Sequence, residues 1–246
     1  MTPENPETPV PPMSEVGRFA AVLTDPKRAY RDIVTRPRWW FPLGLVIVLA
    51  LVFNTVYERR IGWERFMTQT FETNPRTQNL PAEQRARAIE QASRFASYAA
   101  YGGAIVGTPA FAALEAAVLL LLFNVALGAQ LKFQTVFGVV TYSWIPAAIS
   151  SSLAILVMFL KNPDDFNLQN PLAFNLGAFL DPQSTAKWVL SLCTSLDLFS
   201  LWIVLLLAVG LASAARRITF GKSLAAVASL WVVMILLKSA WAGIFG

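Results

Sequence analysis

Residues 195–238 hold two apolar runs on either side of a short basic turn, Arg216-Arg217-Ile218-Thr219-Phe220-Gly221-Lys222. A helix of about 20 apolar residues crosses the hydrocarbon core of a bilayer, and each run is long enough to do so. No water is available at that depth, so each backbone polar group must be satisfied within its own segment. An antiparallel pair of membrane helices meets that demand. Only 14% of the 246 residues are charged, against about 25% in soluble globular chains, so the hairpin belongs to a chain built for lipid throughout.

Further apolar stretches extend the pattern. Spans are expected at about 39–57, 98–127, 137–160, 187–214 and 223–245. The fold class is therefore all-α: a polytopic membrane protein, a five-transmembrane-helix bundle with an amphipathic N-terminal region. Residues 1–13 are Pro-rich and polar and are expected to be disordered. No apolar core follows a basic start there, so no cleavable leader is expected. Residues 14–38 form the amphipathic interfacial region, and 39–245 the membrane domain, with one polar helical loop at 58–97.

In the N-terminal region Ser14 is placed to cap a helix with Val16, Phe19, Ala20 and Leu23 on one face. Asp25-Pro26 restarts the chain, and Tyr30, Ile33 and Val34 form the next stripe. Arg18, Lys27, Arg28 and Arg31 add positive charge. Such a stripe suits either anionic headgroups or the protein's own surface, and periodicity does not choose between them. Arg36-Pro37-Arg38-Trp39-Trp40-Phe41-Pro42 then marks the crossing into the bilayer, with cations followed by aromatics at headgroup depth. Pro81-Ala82-Glu83-Gln84 starts a helix that runs into the second span. That span carries Gly103 and Gly107 at close-packing spacing and a kink at Pro109; the third is kinked at Pro146. Pro146 frees a backbone carbonyl near Tyr142 for nearby hydroxyls to satisfy.

Composition excludes much chemistry. With no His, His-based metal sites, His general bases and Ser-His-Asp triads are ruled out. The single Cys193 excludes an internal disulfide and Cys-cluster metal sites. Gly221-Lys222-Ser223 lacks the earlier glycine and the preceding strand of a phosphate-binding loop; Ser223 reads instead as a cap for the last helix. The acids near 164–181 lack calcium-loop spacing. No catalytic, cofactor-binding or metal residue is assigned, and no cofactor is expected. The net charge of +5 gathers beside the apolar runs, a membrane pattern and not a nucleic-acid surface. Arg36 and Arg38, with Arg216, Arg217 and Lys222, set the topology: N-terminus in the cytoplasm, C-terminus outside.

Three ionisable residues lie inside apolar sequence: Glu115, Asp197 and Lys238. A charge at bilayer depth costs about 3 kcal/mol on insertion scales and calls for a partner or a function. Counting out from the basic turn brings Asp197 and Lys238 to matched depth, roughly 25 Å away, with Glu115 nearby. A structural Asp197–Lys238 pair is the leading reading. Lys238 snorkelling beside Trp241, and a proton or ion relay through Glu115 and Asp197, compete with it.

The order of motifs resembles bacterial members of the Yip1-domain family. Four stretches carry the likeness. They are Phe19 to Pro26 continuing through Arg36 to Pro42; Pro81-Ala82-Glu83-Gln84-Arg85; Tyr142-Ser143-Trp144-Ile145-Pro146; and Leu196-Asp197-Leu198-Phe199-Ser200-Leu201-Trp202 with Gly210 and Lys222. The resemblance implies a helical membrane protein of the bacterial cytoplasmic membrane with its N-terminus inside, and supplies no catalytic residues. Relatives in eukaryotes are linked to small GTPases and vesicle traffic, a role for which this chain shows no binding module. The expected function is a non-enzymatic scaffold or adaptor acting through lipids, protein partners or a second copy. The alternative is a small proton- or ion-coupled transporter or channel using Glu115 and Asp197. No inverted repeat supports that alternative.

Overall fold

The computed structural model describes residues 12–74, 77, 80–181, 184–215 and 217–245; the expected disordered tail lies almost wholly outside them, as does Arg216. The helices are α1 (Glu15–Thr24), α2 (Pro26–Thr35), α3 (Trp40–Arg60), α4 (Trp63–Thr73), α5 (Ala82–Ala126), α6 (Phe133–Ser143), α7 (Ile145–Leu160), α8 (Lys187–Ser195), α9 (Leu198–Ala214) and α10 (Phe220–Phe245). The described residues form no strand beyond one isolated bridge, Asn175 to Asp197.

Among the described residues four helical units are long and apolar enough to cross a bilayer: α3, α5, the α6–α7 unit and α10. The remaining expected span, 187–214, divides into α8 and the 17-residue α9. The break has a local cause. Asp197 takes an extended conformation, and its side chain accepts from the Phe199 and Ser200 amides, so it starts a new helix instead of continuing the old one. Around it the chain bonds a loop: the Leu198 N–H reaches the Phe174 carbonyl at 3.0 Å, and the Leu176 N–H reaches Leu196 at 3.4 Å.

The second span and the loop helix before it are one 45-residue rod, α5, roughly 68 Å long. Its N-terminal half pairs with α4 to make the polar hairpin expected at 58–97. Pro109 does not break this rod. The strain is taken up just before it, at Gly103–Gly107, where the helix widens and the Thr108 N–H bonds back to the Gly103 carbonyl. The close packing expected of Gly103 and Gly107 is absent: a Cβ at either would meet nothing within 4 Å. Side chains nearby, such as Ile105 and Val106, stand exposed, as lipid-facing residues do.

At the centre is α6, which packs on α1, α2, α3, α5 and α9. Of the two partners open to the N-terminal stripe, the protein's own helices take it. In α2, Ala29, Tyr30 and Ile33 are fully buried against α6 and α9. In α1 the expected face is met in part: Phe19 and Leu23 pack on the core, but Val16 is 69% exposed and Ala20 is exposed, while Arg18 and Val22 are buried. Two glycines let α2 in. A Cβ at Gly138 would meet Pro37 at 3.3 Å, and one at Gly210 would collide with Val139 and come within 2.9 Å of the Tyr30 ring.

The last hairpin is antiparallel along its whole length. The Ser223 hydroxyl donates to the Ala208 carbonyl at 2.8 Å, Lys238 Nζ donates to Ser195 at 2.9 Å, and Gly243 lies against Trp188. Ser223 therefore ties helix to helix and does not cap α10. Thr219 Oγ1 accepts the Lys222 N–H at 3.4 Å instead.

Replacing a helical glycine by alanine gains roughly 0.5–1 kcal/mol of helix propensity. At Gly44 of α3, where a Cβ meets nothing, Gly44→Ala is expected to keep or raise the thermal midpoint in detergent. Gly210→Ala is expected to lower stability by about 1–3 kcal/mol because overpacking against Tyr30 and Val139 outweighs propensity. Equal midpoints for the two variants would contradict this packing.

Candidate functional site

The α6–α7 unit is interrupted at Trp144. Pro146 sits in the first turn of α7, and Trp144 takes φ −82° and ψ 2°, closing α6 with a tight turn in which its N–H reaches the Thr141 carbonyl at 3.4 Å. The last two side chains of α6 and the one at the break reach three different elements. The Tyr142 hydroxyl donates to Glu15 of α1. Ser143 and Tyr30 of α2 share a 2.6 Å hydrogen bond. Trp144 Nε1 donates to Glu115 Oε2 of α5 at 2.9 Å. The direction of the second bond follows from proton count. Ser143 gives its one proton to the Val139 carbonyl at 2.8 Å, so Tyr30 is the donor. Burial holds the Tyr30 hydroxyl protonated, well above the ordinary phenol range, although the Ser143 bond pulls the other way.

Around Glu15 lies an ionic knot. Arg18, only 1% exposed, bonds Asp32 Oδ2 through Nε at 2.6 Å, and its Nη1 stands 3.6 Å from Glu15 Oε1. Arg38 reaches the same Glu15 oxygen at 3.4 Å. Burial, the largest single effect, works against the Arg18 charge, and the hydrogen bonds and charges of Asp32 and Tyr142 together outweigh it and hold the guanidinium above its usual value. A buried pair of this kind adds little net stability, but removing one partner typically costs about 3–5 kcal/mol. It fixes where α1 and α2 sit. Sequence reasoning read Arg18 as surface charge. The signal available to it was the carboxylate on either side, Glu15 and Asp32, on adjoining helices.

Glu115 opens on an apolar cavity of about 370 Å³ between α5, α9 and α10, shared with Phe111, Trp144, Ser200, Leu207 and Trp231. Ser200 in turn donates to Asp197. The structure thus brings Glu115 and Asp197 to the same cavity, Asp197 one hydrogen bond behind its wall. Lys238 is not part of it. Among the described residues no ion pair joins Asp197 to Lys238. The hairpin register sets Lys238 level with Ser195, and the Asp197 carboxylate is occupied by the start of α9, accepting from the Phe199 and Ser200 amides at 2.9 and 3.0 Å. Nor does Asp197 sit inside an uninterrupted apolar run; it lies at the loop end of α9, bridged to Asn175.

The basic residues gather at the other end of α9. Arg36, Arg38, Arg217 and Lys222 are exposed. A cleft of about 330 Å³ has Lys27 and Arg31 of α2 on one side, Ser213 at the end of α9 on another, and Ile218 and Phe220 of the turn closing it. The N-terminal cations and the turn of the last hairpin therefore share one end of the bundle.

The family model described as Yip1 domain matches residues 20–241, so the chain belongs to the Yip1-domain family. No curated protein and no solved structure matches it. Membership agrees with an integral membrane protein made of apolar helices.

Asp197→Ala is expected to cost about 1 kcal/mol through loss of the α9 cap, and to cost the same when Lys238 is already Met, with coupling under about 0.5 kcal/mol. Chemical unfolding in detergent checks this; coupling of several kcal/mol would restore the ion pair.

Proposed function

We propose that this Yip1-domain protein works without catalysis, as a scaffold or adaptor of the cytoplasmic membrane with its N-terminus inside and C-terminus outside. The observation that carries this reading is the docking of α1 and α2 on α6 and α9 through the Glu15–Arg18–Asp32 knot and the Tyr30–Ser143 bond. A tail held this way is a fixed platform. Its outer face, with Thr24, Arg28 and Arg36 exposed, is available to a partner protein or a second copy. The orientation is supported by the shared end of the N-terminal cations and the Arg217–Lys222 turn, since positive charge beside span ends marks the cytoplasmic side.

A second reading rests on the cavity. Glu115 and the Ser200–Asp197 pair face one apolar space beside two interrupted helical units, an arrangement that also suits a proton or ion relay.

Photo-crosslinkers placed at Thr24, Arg28 and Arg36 in native membranes are expected to give protein adducts of defined mass. Proteoliposomes of the wild type and of Glu115→Gln are expected to show the same proton leak as empty vesicles. No adduct at any position, together with a flux abolished by Glu115→Gln, would overturn the scaffold and establish the relay.

A further inference from the structure

We infer that the cleft between α2 and the α9–α10 turn is a binding site for the phosphodiester headgroup of an anionic phospholipid, with Lys27 and Arg31 as its ligands. This stands apart from the adaptor reading, because it depends only on the cleft.

Three observations converge on it. The first is the lining. Lys27 and Arg31 face a space whose other walls are Val209, Ala212, Ile218 and Phe220, with the Ser213 hydroxyl beside them. Two cations over an apolar floor match a molecule that is anionic at one end and apolar just below it. The second is the fate of the acids. Glu15 and Asp32 are committed to Arg18 and Tyr142, and Asp25 caps α2 by accepting the Arg28 N–H at 3.2 Å. No carboxylate among the described ion pairs reaches Lys27 or Arg31. The cations are left facing outward. The third is depth. The cleft lies where α9 ends and α10 begins, and the exposed Trp39 and Trp40 mark the start of α3 directly after α2. Aromatics of this kind sit at headgroup level.

The bland explanation for two cations here is the end of α9, whose last carbonyls favour positive charge. That role predicts no preference among lipids, which the test below reads. A surface held by Tyr30 in a fully buried contact also has its geometry set before a ligand arrives, which lowers the cost of binding.

The test uses the full chain purified in detergent, titrated with short-chain phosphatidylglycerol or phosphatidylcholine of the same acyl length, with native mass spectrometry counting retained lipid. Wild type is expected to prefer phosphatidylglycerol. The double variant Lys27→Gln/Arg31→Gln is expected to lose that preference by roughly thirty-fold, the effect of two cations at a membrane surface. Arg28→Gln/Arg36→Gln removes the same charge from the same region outside the cleft and is expected to lose only a few-fold. Equal losses in the two double variants would mean smeared attraction and overturn the site. Unchanged preference in Lys27→Gln/Arg31→Gln would overturn it too. Displacement of the lipid by millimolar inorganic phosphate, or by an acidic peptide at equal concentration, would assign the cleft to a soluble ligand and sink the lipid assignment. Thermal midpoints of both variants within a few degrees of wild type show that the comparison is between folded proteins.

Discussion

A polar group surrounded by apolar atoms must find a partner, and three such partnerships converge where α6 ends before Pro146. Successive side chains of a helix point about 100° apart, so Tyr142 and Ser143 at the end of α6 and Trp144 at the break reach different helices, and α1, α2 and α5 are all hydrogen-bonded to three consecutive residues. Apolar packing then follows. Gly138 and Gly210 leave room for Pro37 and Tyr30, and Ala29, Tyr30 and Ile33 close the core. Close van der Waals packing adds attraction, and the polar partners choose the register.

The same knot separates charge. Acids of the N-terminal helices turn inward onto Arg18 and Tyr142, while Lys27, Arg28, Arg31 and Arg36 face out. A helix pair with two acids and four bases thereby turns both acids inward and presents cations outside, and α2 sets that surface beside the turn of the last hairpin. The proposed scaffold, headgroup site and orientation all draw on this one separation.

Much of the fold was legible because lipid imposes length. Apolar runs long enough to cross, aromatic flanks before α3 and the helix start at Pro81 all lie where patterning alone puts them. What failed did so for physical reasons. The depth count ran through unbroken helix and came within two residues, since Lys238 lies level with Ser195; what a count of apolar residues passes over is the spacing of Asp197 to Ser200, a cap signal that commits the carboxylate to the start of α9. The paired reading of Asp197 and Lys238 fell with it. Arg18 was misread because helical periodicity sorts residues into apolar and polar faces and has no place for a buried guanidinium whose partner is on the next helix. Tyr30–Ser143 and Trp144–Glu115 join residues distant in the chain. The motif from Tyr142 to Pro146 was visible as a resemblance, but nothing in it names the three partners.

The central claim is that Tyr142 and Ser143 hold α1 and α2 to the bundle as one cooperative body. Native-state hydrogen exchange by mass spectrometry tests it most directly. In the wild type, amides of α1 and α2 are expected to be protected to the same order as those of α6. In Tyr142→Phe/Ser143→Ala they are expected to lose protection by about a hundredfold, on the order of two lost buried hydrogen bonds, while α3 and α10 keep theirs. Fast exchange of α1 and α2 in the wild type, or unchanged protection in the double variant, would contradict it.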